Sequence, residues 1–226
     1  TTTPAPTQTS ESTQVPTSSA LEVLYSKLYQ AKTWPLILQE SFDNNDNQWD
    51  MWNVDDTDKK ESMQIENGVF QWGLQIKKPD AWYWEIAPLT SYSNFYYSVK
   101  VRRIGKPTEE QVNQAIWGII FRRQGNDLYA FLLNDLQEYY LSLNSDGSWI
   151  DLVGQTKSSL VNSDRSNELA VIADGTEITL FINGTPIKTI NDKTLLNGNV
   201  GFYAGLIYPD DEVRFEFDDF ELRQKP

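Results

Sequence analysis

From Trp34 to the end of the chain, apolar and polar residues alternate with a period of two, and this pattern limits the fold more than any other. Because successive side chains of an extended strand point to opposite faces, a period of two predicts β-strands. About a dozen such segments occur, among them FQWGLQI, AWYWEI, AIWGIIFRR, TEITLFIN and VRFEFDDFEL. The pattern predicts an all-β domain over residues 34–226 with enough strands for two packed sheets.

Short turns between these segments favour antiparallel pairing. Asp174-Gly175 separates AVIA from TEITL, and Asn183-Gly184 separates TLFI from TPIK. Asn-Gly and Asp-Gly pairs readily adopt the positive φ angles of tight hairpin turns. Parallel strands would need crossover helices, and no amphipathic helical pattern follows Trp34. We therefore expect consecutive strands to pair as hairpins.

The N-terminal part of the chain has a different composition. Residues 1–19 are mostly Thr, Ser, Pro and Gln with one charge, at Glu11, which predicts a disordered linker. Apolar residues then recur every three or four positions, which predicts a short helix over residues 20–33. This helix either packs against the sandwich or forms the ordered end of the linker. We expect the linker to tether the domain to an anchor outside this sequence, at an extracellular or cell-envelope surface.

Composition excludes several kinds of chemistry. The chain has no His and no Cys, so imidazole bases, thiolate nucleophiles, disulfides and Cys/His zinc sites are excluded. Its net charge of −13 makes nucleic acid an unfavourable partner. No run approaches the roughly 18 apolar residues of a membrane-spanning helix, so we expect no direct membrane insertion. Carboxylate chemistry and oxygen-ligated metal ions remain.

Several segments together resemble the concanavalin A-like lectin/glucanase superfamily, in particular bacterial laminin-G-like and sugar-binding jelly-roll modules. The resemblance covers residues 34–223 and is carried by the segments WPLILQESF, IENGVFQW, GIIFRRQGNDLYAFLL, NELAVIADGTEITLFINGTPI, NGNVGFYAG and FEFDDFEL. It implies a two-sheet antiparallel jelly-roll sandwich. It also implies a polysaccharide or oligosaccharide as the partner.

The resemblance further points to carboxylates near both ends of the domain. Related sugar-binding modules hold a structural Ca²⁺ with acids of their first and last strands, which correspond here to Glu40 and Asp218. Glu216, Asp218 and Glu221 also match the E-x-D-x-x-E motif of laminarinase-like glycoside hydrolases. That family places the motif in the middle of the chain, whereas here it lies in the closing strand. We therefore predict no catalytic residue.

Aromatic residues supply the candidates for sugar binding, because aromatic faces stack on the C–H groups of sugar rings. In AIWGIIFRR, Trp117 alternates with Ile119 and Phe121 in a core-like row, which would place Arg122 on the opposite face. We predict a ligand-binding cluster on a concave face, formed by Arg122, Tyr129, Tyr139 and Trp149. In AWYWEI, either Trp82 and Trp84 or Tyr83 and Glu85 face the core, and periodicity does not decide between them.

These observations favour a non-catalytic, lectin-like extracellular domain that binds carbohydrate. Two alternatives remain open at this point. The domain could be a carboxylate-based glycoside hydrolase or an enzyme of the keto-disaccharide hydrolase type, which requires two carboxylates across an open cleft. It could also be an adhesion or sensory ectodomain that binds protein, for which a large exposed apolar patch would be the mark.

Overall fold

The computed structural model describes residues 18–105, 115–209 and 212–226. The predicted linker lies outside the described residues apart from Ser18 and Ser19, which begin the helix. No helix among the described residues has the length and hydropathy needed to cross a membrane.

The described part of the chain contains one helix followed by fifteen strands. In chain order these are α1 (Ser18–Ala31), β1 (Leu36–Glu40), β2 (Trp52–Asp55), β3 (Lys59–Glu66), β4 (Val69–Ile76), β5 (Ala81–Ile86), β6 (Phe95–Ile104), β7 (Ala115–Gln124), β8 (Asp127–Asn134), β9 (Glu138–Ser145), β10 (Ser148–Lys157), β11 (Asn167–Asp174), β12 (Glu177–Ile182), β13 (Thr185–Asn191), β14 (Asn199–Leu206) and β15 (Glu212–Gln224).

The strands form two antiparallel sheets, as predicted. Within the described residues, the larger sheet has nine strands. Eight follow the order β13-β12-β11-β6-β15-β4-β3-β2, and the ninth, β1, pairs with the C-terminal half of β15. The smaller sheet has six strands in the order β10-β9-β8-β7-β14-β5. The prediction of an all-β, two-sheet jelly-roll sandwich with one N-terminal helix is confirmed.

The hairpins form where the turn residues predict them. Asn183 and Gly184 connect β12 to β13 with φ angles of 51° and 73°. Gly175, with a φ of 57°, lies in the turn between β11, which ends at Asp174, and β12. A further Asp-Gly pair, Asp146 and Gly147, connects β9 to β10 with φ angles of 52° and 75°. Consecutive residues with positive φ match the right-handed twist of the flanking strands. These turns therefore set the pairing of the strands on either side.

Aromatic rings from both sheets form the centre of the core. Phe202 of β14 stacks on Phe217 of β15 with ring centroids 4.3 Å apart. Trp49, from the loop before β2, stacks on the same Phe202 at 5.0 Å with an interplanar angle of 2°. All three rings are almost completely buried. Their contacts fasten the smaller sheet, the larger sheet and the β1–β2 loop to one another.

The N-terminal helix packs on the outer face of the larger sheet. Leu28 and Ala31, together with Trp34 just beyond the helix, form a buried cluster with four residues of β6, β11 and β12, namely Tyr96, Ala170, Ile172 and Phe181. Lys27 also forms an ion pair with Glu177 of β12. Of the two alternatives from the sequence, the structure shows the packed helix.

Candidate functional site

The smaller sheet is apolar on both of its faces. Its inner face contributes Trp117, Ile119 and Phe121 to the core between the sheets, as predicted for this row. Its outer face carries a second buried cluster, formed by Ile120, Leu128, Ala130, Leu132, Tyr140 and Tyr203. Sheets of globular domains usually expose a polar outer face. The smaller sheet therefore differs from such a sheet, because apolar side chains pack against it on both sides.

A groove of about 240 Å³ opens on this outer face. We call it the outer groove, and it is lined by Trp82, Ile116, Leu132, Tyr140, Ser142, Trp149 and Tyr203. Trp82 comes from β5, Tyr203 from β14, Ile116 from β7, Leu132 from β8, Tyr140 and Ser142 from β9, and Trp149 from β10. Each of the six strands therefore contributes to the groove.

Ring contacts show that the outer face of the smaller sheet is concave. Trp149 meets Trp82 edge to face at 6.3 Å and an angle of 87°, although β10 and β5 are the opposite edges of the sheet. In a flat sheet, five strand spacings of about 4.8 Å would separate these strands by roughly 24 Å. Trp149 also meets Tyr203 edge to face at 6.3 Å. The sheet therefore curves so that both tryptophans overhang one groove.

A few polar groups lie at the rim of the groove. The Ser142 hydroxyl donates a hydrogen bond to Oδ1 of Asp151 at 2.6 Å, directly across the β9–β10 pair. Burial, and then the negative charges of Asp151 and Glu138, raise the pKa of Tyr140, which keeps its hydroxyl protonated. The guanidinium of Arg123 lies 5.6 Å above the ring of Trp84 on the same face of the sheet. The rim thus offers hydroxyl and carboxylate groups, whereas Arg123 and Trp84 do not line the groove.

The structure does not assemble the predicted cluster of Arg122, Tyr129, Tyr139 and Trp149. Trp149 lies in the outer groove. Tyr129 is fully buried and stacks on Phe121 at 5.2 Å on the inner face, and its hydroxyl bonds to Asp192. Tyr139 is 8% exposed and belongs to the core between the sheets. Tyr129 and Tyr139 are therefore on the wrong face for the predicted role.

Arg122 lies outside the predicted cluster for a different reason. The β7–β8 pairing shifts register between Phe121 and Gln124, and Arg122 adopts a φ of 50° at this bulge. A bulge adds a residue to one strand and breaks the alternation of side chains. Arg122 consequently turns inward, is fully buried, and donates hydrogen bonds to three carbonyl oxygens, of Ser93 at 2.9 Å, Gly175 at 2.7 Å and Leu195 at 3.1 Å. Arg122 therefore acts as a clamp that joins three loops through their carbonyl groups. The side chain of Arg123, the next residue, points outward instead.

Glu40 and Asp218 do not fit a shared calcium site. Glu40 pairs across strands with the core residue Phe220 and is 6% exposed, so it faces the interior. Its two carboxylate oxygens accept hydrogen bonds from the Phe42 amide at 2.8 Å and the Asn47 side chain at 2.6 Å. Asp218 instead lines a depression on the outer face of the larger sheet with Lys100. Among the described residues, no group of three or more acidic side chains is arranged to hold a metal.

The E-x-D-x-x-E motif lies on the larger sheet, away from the outer groove. Glu216 forms an ion pair with Arg102, and Glu221 forms one with Arg223. Asp218 is partly buried, and burial is the main cause that raises its pKa. β15 runs between β6 and β4 inside the larger sheet. The motif therefore contributes charge pairs to a sheet surface, and it does not face the groove.

Sequence reasoning missed most of the groove, including Trp82, Ile116, Leu132, Tyr140, Ser142 and Tyr203. For AWYWEI, the structure decides the open alternative, because Glu85 is 3% exposed on the inner side while Trp82 is 41% exposed on the outer side. A charged residue normally marks the solvent face of a strand. Here that rule would mislead, since the tryptophans, and not the glutamate, face outward. The distinguishing signal was the continuous apolar composition of β7 and β8, which indicates a sheet covered on both faces.

No protein-family model matches this sequence, and no curated protein resembles it significantly in sequence. Solved structures do resemble the fold. The laminarinase catalytic domain of Thermotoga maritima MSB8 aligns with a TM-score of 0.59 at 11% identity, covering 85% of this chain and 99% of that one. A Bacillus subtilis protein of unknown function with a galectin-like fold aligns with a TM-score of 0.58 at 14% identity, covering 84% and 96%.

A third similar structure is the κ-carrageenase of Pseudoalteromonas carrageenovora, determined in complex with an oligotetrasaccharide of κ-carrageenan. It aligns with a TM-score of 0.56 at 12% identity, covering 86% of this chain and 96% of that one. Identities this low establish the architecture and leave the activity to be argued from the site. The chain has the concanavalin A-like jelly-roll sandwich fold that the sequence resemblance implied.

Proposed function

We propose that this domain is a non-catalytic carbohydrate-binding module and that the outer groove is its binding site. The observation that carries the proposal is the concave aromatic surface, to which each strand of the smaller sheet contributes. Two similar structures, the laminarinase and the κ-carrageenase, are named for polysaccharides, and this supports carbohydrate as the ligand class. The Thr, Ser and Pro-rich composition of residues 1–17 supports display of the domain outside the cytoplasm.

Binding in the outer groove would rest on stacking. The ring of Trp82 is 41% exposed and stands at the groove wall, where a sugar ring can cover it. Trp149 lies against Trp82 and Tyr203 on the same groove, and its edge-to-face contacts with both rings fix its orientation before ligand arrives. Walls that are already ordered lose little conformational entropy on binding. The groove is therefore suited to hold the apolar face of a pyranose.

Binding is favoured over hydrolysis because the groove lacks a carboxylate pair. Glycoside hydrolases place two carboxyl groups about 5 to 9.5 Å apart around the scissile bond. Among the described residues that line the groove, none is acidic. At the rim, Asp151 is already hydrogen-bonded to Ser142. The acids of the E-x-D-x-x-E motif lie on the other sheet.

Affinity electrophoresis and calorimetry with a panel of soluble polysaccharides test this proposal. Trp149→Ala and Trp82→Ala should each weaken binding of a retained polysaccharide at least about tenfold, which corresponds to ~1.4 kcal/mol. Tyr29→Ala is the matched control, because Tyr29 is 72% exposed on α1, which packs on the other sheet. Circular dichroism establishes that each variant is folded.

Two results would overturn the proposal. One is that no polysaccharide retards the unmodified domain. The other is that both tryptophan variants bind a retained polysaccharide as tightly as the Tyr29→Ala control does. A reducing-sugar assay on any retained polysaccharide addresses hydrolysis separately. Release of reducing ends by the purified protein would mean that the domain is an enzyme and not a non-catalytic module.

A further inference from the structure

The floor of the outer groove is aliphatic, whereas its walls are aromatic. Ile116 of β7 and Leu132 of β8 lie on the central strands and form the floor. Ser142 is the one lining residue, among those described, that has neither an aliphatic nor an aromatic side chain. A ligand group that reaches the floor therefore meets carbon atoms. A hydroxyl there would lose its hydrogen bonds to water without replacement.

The size of the groove limits how much ligand it can enclose. Its volume of about 240 Å³ is below the roughly 300 to 1,000 Å³ of sites that enclose drug-sized molecules. The edge-to-face contact between Trp82 and Trp149 narrows the space further along the sheet. The enclosed part of the ligand is therefore about one sugar ring. Neighbouring sugars of a longer glycan would extend into solvent.

Besides the hydroxyls of Tyr140 and Tyr203, the polar groups at the groove are Ser142 and Asp151, which lie on one side of it. The Ser142 hydroxyl donates a hydrogen bond to Oδ1 of Asp151, so the Ser142 oxygen and the second Asp151 oxygen remain as acceptors for sugar hydroxyls. Asp151 is exposed and negatively charged, and the chain as a whole carries a net charge of −13. Uronic acids and sulfated sugars would be repelled by both. The ring that fits is neutral, with hydroxyls on one edge and an apolar group on the other.

We infer that the outer groove selects a neutral 6-deoxyhexose, with the C6 methyl group on Ile116 and Leu132 and the ring hydroxyls toward Ser142 and Asp151. This inference rests on the proposed function and makes the ligand specific. A 6-deoxyhexose differs from its parent hexose by one oxygen atom. Apolar pockets discriminate against an added hydroxyl by about a hundredfold at most. We expect the deoxy sugar to bind 10- to 100-fold more tightly than its parent.

Matched sugar pairs give a direct test. The methyl α-glycosides of L-fucose and L-galactose differ only at C6, as do those of L-rhamnose and L-mannose. Saturation-transfer NMR and calorimetry on the full chain compare the members of each pair. The expected result is tighter binding of the deoxy member in at least one pair, with the strongest saturation transfer at its C6 methyl protons.

Two variants measure separately what the floor and the rim of the outer groove contribute to binding. Ile116→Thr places a hydroxyl at the floor and should reduce the preference for the deoxy sugar to less than about threefold. Asp151→Asn should weaken both members of a pair alike and leave their ratio unchanged. Ile150→Ala is the control, because Ile150 is 51% exposed and does not line the groove. If Ile116→Thr does not fold, the comparison of sugar pairs on the unmodified chain still decides the matter.

The outcomes distinguish this inference from the proposed function. Equal or tighter binding of the parent hexoses, with loss of binding in Trp149→Ala, would overturn the deoxy-sugar inference and keep the carbohydrate module. Retention on a polysaccharide without detectable binding of any single sugar would refute the inference that the groove encloses one sugar ring. Failure to bind any polysaccharide or sugar would overturn both.

Discussion

Replacing Glu85 with Gln should stabilise the domain at pH 8 and leave its stability almost unchanged near pH 5. Glu85 lies on the inner side of β5 and is 3% exposed. Burial, followed by the negative charges of Asp50 and Glu61, raises the pKa of Glu85 from its ordinary value of 4.5 to about 8. The protonated carboxyl is thus the form that suits the folded state.

The sign of the effect follows from proton binding. Between pH 4.5 and pH 8 the folded state keeps a proton on Glu85 that the unfolded chain has released. Stability therefore falls as pH rises through this window, by up to about 1.4 kcal/mol for each pH unit. A pKa raised by roughly 3.5 units corresponds to a cost on the order of 5 kcal/mol once Glu85 is ionised. Glu85→Gln is neutral at every pH, so it avoids this cost.

Urea unfolding followed by tryptophan fluorescence measures the effect at pH 5, 6, 7 and 8. The sequence contains no histidine, so no imidazole titrates between pH 6 and pH 8. Burial raises the pKa of Asp135 to about 6, so this residue also lowers stability as pH rises, but mostly below pH 6. The control is Glu22→Gln on the exposed side of α1. Equal losses of stability from pH 6 to pH 8 in Glu85→Gln and the unmodified chain would refute the reasoning.

Two other substitutions probe packing. Arg122→Met removes three hydrogen bonds to backbone carbonyls in a buried site, and it should lower the free energy of unfolding by about 3 to 5 kcal/mol in urea titrations. Arg123→Met should cost less than about 1 kcal/mol, and equal losses would contradict the clamp. Gly118→Ala would place a Cβ 2.2 Å from the Phe131 carbonyl oxygen, so we expect a loss of about 1 to 3 kcal/mol. Gly154→Ala, with no atom within 4 Å of its Cβ, should be nearly neutral in the same urea titrations.

Much of the architecture could be predicted because its causes are local. Most strands have a period of two over their own length, and each hairpin depends on two or three turn residues such as Asn183 and Gly184. In β15, Phe215 and Phe217 are buried and the alternating Glu216 is partly exposed, which agrees with the local pattern. Local patterns also predicted α1, which begins at Ser18 and ends at Ala31.

The assignment of faces could not be predicted in the same way, because the smaller sheet is covered on both sides. In β8, seven consecutive residues from Leu128 to Asn134 are buried, so alternation of burial is absent there. In β5, Glu85 is the buried residue and Trp82 the exposed one. Burial, and then the nearby charges of Asp50 and Glu61, raise the pKa of Glu85, and both causes depend on the folded structure. The sequence of β5 alone contains none of that information.

The error at Arg122 has the most direct bearing on the binding site. Counting from Trp117, a regular strand would direct Arg122 outward, and one extra residue in the bulge gives that direction to Arg123 instead. The sequence RR is compatible with both registers, and the choice depends on pairing with β8 and β14. The groove has the same dependence on a larger scale, because Trp82 and Trp149 meet only when six strands are ordered and curved. A site assembled from one or two side chains of every strand therefore becomes visible only after the long-range pairing is known.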